Sequence, residues 1–168
     1  ALLSLMAAAI VLPLMTSSTA CAADGWESLF DGRTLKNWDG NRAFWSVKDG
    51  AITGQTTKEN PTKGNTFIIY RGGEVGDFEL KLQYKIVGGN SGIQYRSFEV
   101  KDNKWVVGGY RGDFEAGKTY SGILYGERFR GILANRGQKT VIGEDGKPKV
   151  VGSVGDSAEI QSKIKNED

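Results

Sequence analysis

From Phe78 to Ile86 every second residue is apolar: Phe78, Leu80, Leu82, Tyr84 and Ile86 alternate with Glu79, Lys81, Gln83 and Lys85. Successive side chains of a strand point to opposite faces. The run therefore predicts a half-buried antiparallel strand over Asp77–Val87, with one face on a core and the other in water. Gly88-Gly89-Asn90 follows as a turn. The 24 glycines of this 168-residue chain have no fixed period, which suits many short strands and tight turns rather than a helical bundle.

The same reading extends along the chain. Asp31-Gly32 marks a turn, and Phe44–Gly54 reads as a hairpin around the two-residue turn Asp49-Gly50. Thr66–Tyr70 is a compact strand, and Asn90–Val100 and Lys104–Glu115 are two more. Ala116–Lys139 reads as a long loop plus a strand, and Val141–Val151 as an exposed excursion turning at Asp145-Gly146. Asp156–Lys165 reads as a short helix, with Asp156 as N-cap and Glu159 as its capping-box partner. Eight to ten strands of this kind indicate an all-β sandwich of antiparallel sheets with one short helix near the C-terminus. The chain stops directly after that helix, so further C-terminal strands are expected to complete the domain, which occupies residues 24–168.

Residues 1–23 read as part of a signal peptide. Ala1–Met15 is apolar apart from Ser4, Thr16–Ala23 is small and polar, and Ala20 and Ala22 fit an A-x-A cleavage site. The apolar run is shorter than the roughly 18–20 residues a span requires, and Pro13 interrupts it. The expectation is export to the periplasm or beyond, with no membrane span in the mature chain. Lipoprotein anchoring through Cys21 is the alternative.

The missing residue types narrow the chemistry. The chain has no histidine and one cysteine, which excludes a Ser-His-Asp triad, a Cys-His pair and a His-ligated zinc for this stretch. Its 22 basic and 20 acidic residues give no electrostatic case for nucleic acid. Catalysis has to come from Asp, Glu, Tyr, Lys, Arg, backbone groups, or a hard metal bound by oxygens. Carboxylate chemistry on sugars fits that list best.

Candidate residues concentrate between Asn90 and Glu115. Gln94 and Arg96 share one strand parity, as do Arg111, Asp113 and Glu115, so each strand offers a row of polar groups from one face. Asp113 and Glu115 stand two apart, about 6.6 Å of rise, near the carboxyl separations of roughly 5–9.5 Å used in glycoside cleavage. They fit an acid and base, or the ligands of a divalent metal; no other cofactor is called for. A solvated pair on an exposed face is the bland alternative. Arg96 and Arg111 would keep a carboxylate ionised and grip ligand oxygens, or form a cross-strand salt bridge. Asn90, Gln94, Trp105, Tyr120, Arg128 and Arg136 complete the set as substrate-binding candidates, against core packing for the tryptophan and a solvated loop for the arginines.

The segments W-E-S-L-F-D-G-R-T-L-K-N-W at Trp26, W-S-V-K-D-G-A-I-T-G at Trp45, N-S-G-I-Q-Y-R at Asn90 and G-Y-R-G-D-F-E at Gly109 resemble the 3-keto-disaccharide hydrolase domain family. The resemblance implies a concanavalin A-like jelly roll exported by bacteria. It also implies cleavage of glycosidic bonds in sugars oxidised to a ketone at carbon 3, so the partner would be an oligosaccharide or oxidised disaccharide. Such a carbonyl acidifies the proton at carbon 2, allowing elimination of the group at carbon 1 and later addition of water. On that chemistry Asp113 or Glu115 would be base or metal ligand, and Arg96 or Arg111 would meet the enolate oxygen. Asn90, Gln94 and Tyr120 would orient hydroxyls. Hydrolase and lyase both remain open, and a non-catalytic lectin-like module is the competing class.

Overall fold

Asp49 and Gly50 both adopt positive φ (50° and 74°), the backbone a two-residue hairpin turn requires, and they join β2 (Trp45–Lys48) to β3 (Ala51–Gly54) in the expected register. This hairpin is one of four antiparallel units in the computed structural model, which describes residues 25–165. The expected leader at residues 1–23, with Cys21, lies outside the described residues. β1 (Trp38–Gly40) pairs with β4 (Ile68–Tyr70), and the cross-strand pair Trp38–Tyr70 brings its rings to 5.2 Å. β5 (Asn90–Glu99), β6 (Val107–Glu115), β7 (Leu124–Glu127) and β8 (Gly131–Ala134) form the largest sheet in that order. β9 (Gln138–Ile142) and β10 (Pro148–Ser153) form an exposed hairpin, and α1 (Ser157–Ser162) follows. The fold is thus all-β and antiparallel with one short helix near the C-terminus, consistent with the expected sandwich. No helix among the described residues is long and apolar enough to cross a membrane.

Local chemistry explains the connections. Asp31 accepts from the backbone N–H groups of Arg33 (2.8 Å) and Thr34 (2.6 Å) and from the Thr34 hydroxyl. These bonds, the hydroxyl first, hold its carboxyl down at about 2. Asp156 caps α1 by accepting from Glu159 N at 2.8 Å. The Glu159 carboxylate pairs with Lys163 at 2.8 Å, one turn on. Ala116–Lys139, read as a long loop plus a strand, supplies two short strands, β7 and β8, joined by a tight turn in which Arg128 has φ 61°.

Asp77–Val87 corrects the sequence reading. The segment is extended, and Phe78 and Tyr84 contact Tyr95 and Phe114 of the main sheet (ring centroids 6.2 and 4.0 Å). It makes no ladder with another described strand, however, and Phe78, Leu80, Leu82 and Tyr84 stay 43–49% exposed. Alternation reports which side of an extended chain is apolar; ladder membership also needs a neighbouring backbone.

Register sorts the side chains of the main sheet into two faces. Asn90 faces Glu115, Gly92 faces Asp113 and Gln94 faces Arg111 across β5–β6, and Tyr125 of β7 stands beside Arg111. These residues form one polar face. The other face is aromatic: Tyr95 stacks on Tyr110 at 5.9 Å, and Phe129 meets Tyr110 edge-on at 5.3 Å. Desolvation there, with Tyr110 adding to it, raises the Tyr95 hydroxyl pKa. A recess of about 640 Å³ on this side is lined mainly by apolar residues, among them Phe78, Leu80, Leu82 and Ile93.

The ladder between β5 and β6 shifts register between Tyr95 and Phe98, where Arg96 takes φ 46°. Gly109, with φ 144°, lies against this irregularity, and a Cβ there would come within 2.9 Å of Ser97 Cα and 3.0 Å of Arg96 O. Both neighbours are backbone and have no rotamer to escape into. Gly109→Ala is therefore expected to destabilise the fold by about 2 kcal/mol, read as a lower midpoint in urea denaturation.

Candidate functional site

Arg111 is the centre of the polar face. Its Nε and Nη2 donate to the two carboxylate oxygens of Asp113, the second bond at 3.2 Å, while Nη1 donates to Glu127 Oε2 at 3.1 Å. Strand geometry accounts for this. Asp113 lies two residues along the same strand, and Glu127 lies two residues beyond Tyr125, the residue opposite Arg111. Asn65 reaches in from the loop before β4 and donates to the same Glu127 Oε2 at 3.0 Å. The Arg111 stem passes over Gly92, where a Cβ would stand 2.8 Å from Arg111 Cγ.

Burial separates this group from ordinary surface ion pairs. Side-chain exposure is 12% for Arg111, 4% for Asp113 and 11% for Glu127. Asp and Glu are almost never buried without a partner, and here one guanidinium serves both. Gln94, opposite Arg111, has both amide atoms shielded from solvent and unpartnered among the described residues. Such an amide is costly to leave unsatisfied. Together these groups give a fixed cation, two oriented carboxylates and an amide with spare donors and acceptors.

The structure disperses the remaining candidates. Arg96 does not join the carboxylates: the register shift turns it away, and it pairs with Asp77 at 3.0 Å beside the aromatic-side recess. Strand parity fails there because the ladder admits extra residues. Glu115 keeps the parity of Asp113, but its Oε1 accepts from the backbone N–H groups of Thr119 and Tyr120 (2.7 Å to Tyr120), so it caps the following loop. Tyr120 is on that loop with 44% of its surface exposed, and Asn90 is exposed opposite Glu115. Arg136 donates to the carbonyls of Ser121 (2.6 Å), Lys118 (3.0 Å) and Ser157 (3.0 Å), tying that loop to α1. Arg128 is exposed at the β7–β8 turn. Trp105 donates its indole N–H to Asp39 Oδ1 at 2.7 Å, linking the β5–β6 turn to β1.

Sequence reasoning missed Asn65 and Glu127. A usable signal for the second existed: in L-Y-G-E, Tyr125 and Glu127 share a parity, as Arg111 and Asp113 do in β6. As for a metal, no group of three or more His, Cys, Asp or Glu side chains is gathered among the described residues. Asp113 and Glu115 are each engaged by N–H donors. This donor set does not fit a metal held by that pair.

The family model of the 3-keto-alpha-glucoside-1,2-lyase-like domain matches residues 25–162. A protein of Bacteroides thetaiotaomicron named 3-keto-disaccharide hydrolase is 34% identical over 90 residues. That alignment takes in 46% of this chain and 29% of the relative, so it spans under a third of the relative's length. No solved structure matches.

The Trp105–Asp39 bond makes a pH-dependent statement about the fold. The indole donor, followed by Arg71, holds the Asp39 carboxyl below its usual value against the effect of burial. A depressed carboxylate adds stability above its unfolded pKa, and that stability is lost as pH falls through the lower folded value. Trp105→Phe removes the donor and keeps a ring. Its thermal midpoint is expected to fall below wild type at neutral pH, with the gap closing below about pH 4 in melts run across the acid range.

Proposed function

The chain belongs to the 3-keto-alpha-glucoside-1,2-lyase-like domain family, and on that premise we propose that it cleaves glycosidic bonds of sugars bearing a ketone at carbon 3. The residues 1–23 that read as a leader support export of the protein to meet such sugars outside the cytoplasm. The observation that carries the reading is the Arg111 guanidinium, immobilised by two carboxylates beside an unpartnered amide.

The chemistry sets two demands. A base must take the proton at carbon 2, and the charge that develops on the oxygen at carbon 3 must be met by a fixed donor. A guanidinium has five N–H donors; Asp113 and Glu127 engage three of those on Arg111, leaving two for the enolate oxygen. Because Arg111 is already held, it needs little reorganisation as charge appears. The Gln94 amide orients a neighbouring hydroxyl. Expulsion of the group at carbon 1 completes an elimination, and addition of water to the product makes the net reaction a hydrolysis.

The test is turnover of a 3-keto-glucoside against the same glucoside unoxidised. Only the oxidised sugar is expected to be cleaved. Arg111→Lys keeps the charge but loses the planar fork, and should lower kcat by about 10²-fold. A protein that binds both sugars and cleaves neither is a carbohydrate-binding module, and the proposal fails.

A further inference from the structure

The proposed activity needs a base, and the two carboxylates that sequence spacing singles out both accept N–H donors. Both oxygens of Asp113 face the Arg111 fork. Glu115 is held through Oε1 by the N–H groups of its own loop and has no bond to Arg111, so its second oxygen is not tied to the cation that meets the enolate. A base has to bring a lone pair to the proton it removes. Glu127 has one: its Oε2 accepts from Arg111 Nη1 (3.1 Å) and Asn65 Nδ2 (3.0 Å), while its Oε1 has no hydrogen bond to any described residue. Two donors on one oxygen fix the carboxylate and leave the other oxygen uncommitted. The side chain is also only 11% exposed, which limits competition from water.

Resting on the proposed activity, we propose that Glu127 is the catalytic base, anchored by Asn65 and by the same guanidinium that meets the enolate. Glu127 Oε1 takes the proton from carbon 2, and the C–H electron pair forms an enolate with its charge on the oxygen at carbon 3. Collapse of the enolate restores the carbonyl, forms the double bond between carbons 1 and 2, and breaks the bond from carbon 1 to the glycosidic oxygen. That oxygen leaves with the electron pair and takes the proton back from Glu127. In the second half, water gives its hydroxyl to carbon 1 and, through Glu127, its proton to carbon 2. Asp113 acts on this scheme as a positioning residue that holds Arg111 from the other side.

The experiment uses the purified protein, a 3-keto-glucoside with a chromogenic leaving group, and deuterated water. Glu127→Gln is expected to lower kcat at least about 10²-fold, to abolish the acidic limb of the pH–rate profile, and to stop deuterium entering carbon 2. Glu127→Asp should recover part of the rate. Asn65→Ala, which keeps the carboxylate but removes one donor, should move the acidic limb to higher pH; it provides a second reading if Glu127→Gln melts early. A Glu127→Gln enzyme that keeps the wild-type limb and deuterium exchange overturns the assignment alone, as does an unmoved limb in Asn65→Ala. A wild-type protein inactive on every 3-keto-glycoside overturns the activity itself, and the assignment with it.

Discussion

The polar face depends on one buried cation shared by two carboxylates. Arg111 lies between Asp113 and Glu127 with all three side chains largely out of water. Charges this poorly hydrated are tolerable only when each has its partner, and removal of one leaves the others uncompensated. The ladder positions of β6 and β7, the absence of a side chain at Gly92 beneath the Arg111 stem and the reach of Asn65 all serve that arrangement. Among the described residues the buried apolar side chains are only Leu35, Val107, Ile123 and Leu133, while Asp113, Ser121 and Glu127 are buried and polar. Where the interior is this polar, satisfied hydrogen bonds carry much of the structural specificity.

What was legible in the sequence is what local chemistry determines. The Asp49-Gly50 hairpin could be read because its turn needs positive φ at two positions and those residues tolerate it. The common face of Arg111 and Asp113 could be read because strand parity is rigid where a ladder is regular, whereas the register that brings Gln94 opposite Arg111 comes from the fold. Parity misled at Arg96, where the ladder gains residues opposite Gly109, and no run of polar and apolar letters announces that shift. Glu127 was hidden for a related reason. Its strand is four residues long and contains a glycine, too little for alternation to stand out, and its importance comes from a neighbour sixteen residues away.

Arginines in the same region show how a residue type underdetermines its task. Arg111 and Arg136 are both held at several nitrogens, but by carboxylates in one case and backbone carbonyls in the other. Neutral acceptors leave Arg136 as a clasp between a loop and a helix. Charged acceptors make Arg111 the centre of a buried group of charges. The distinction lies in the partners, which only the fold supplies.

The extended segment at Asp77–Val87 has a consequence for how the molecule behaves in company. Its peptide groups are not satisfied by a neighbouring described strand, and its apolar side is only partly covered. Bare backbone of this kind is a template on which another chain can add a strand, the route to edge-to-edge aggregation. Glu79, Lys81 and Lys85 occupy the alternate positions, and charged side chains along an edge oppose such association. The polar half of the pattern thus acts as a guard on the surface, beyond marking which side of the strand meets water.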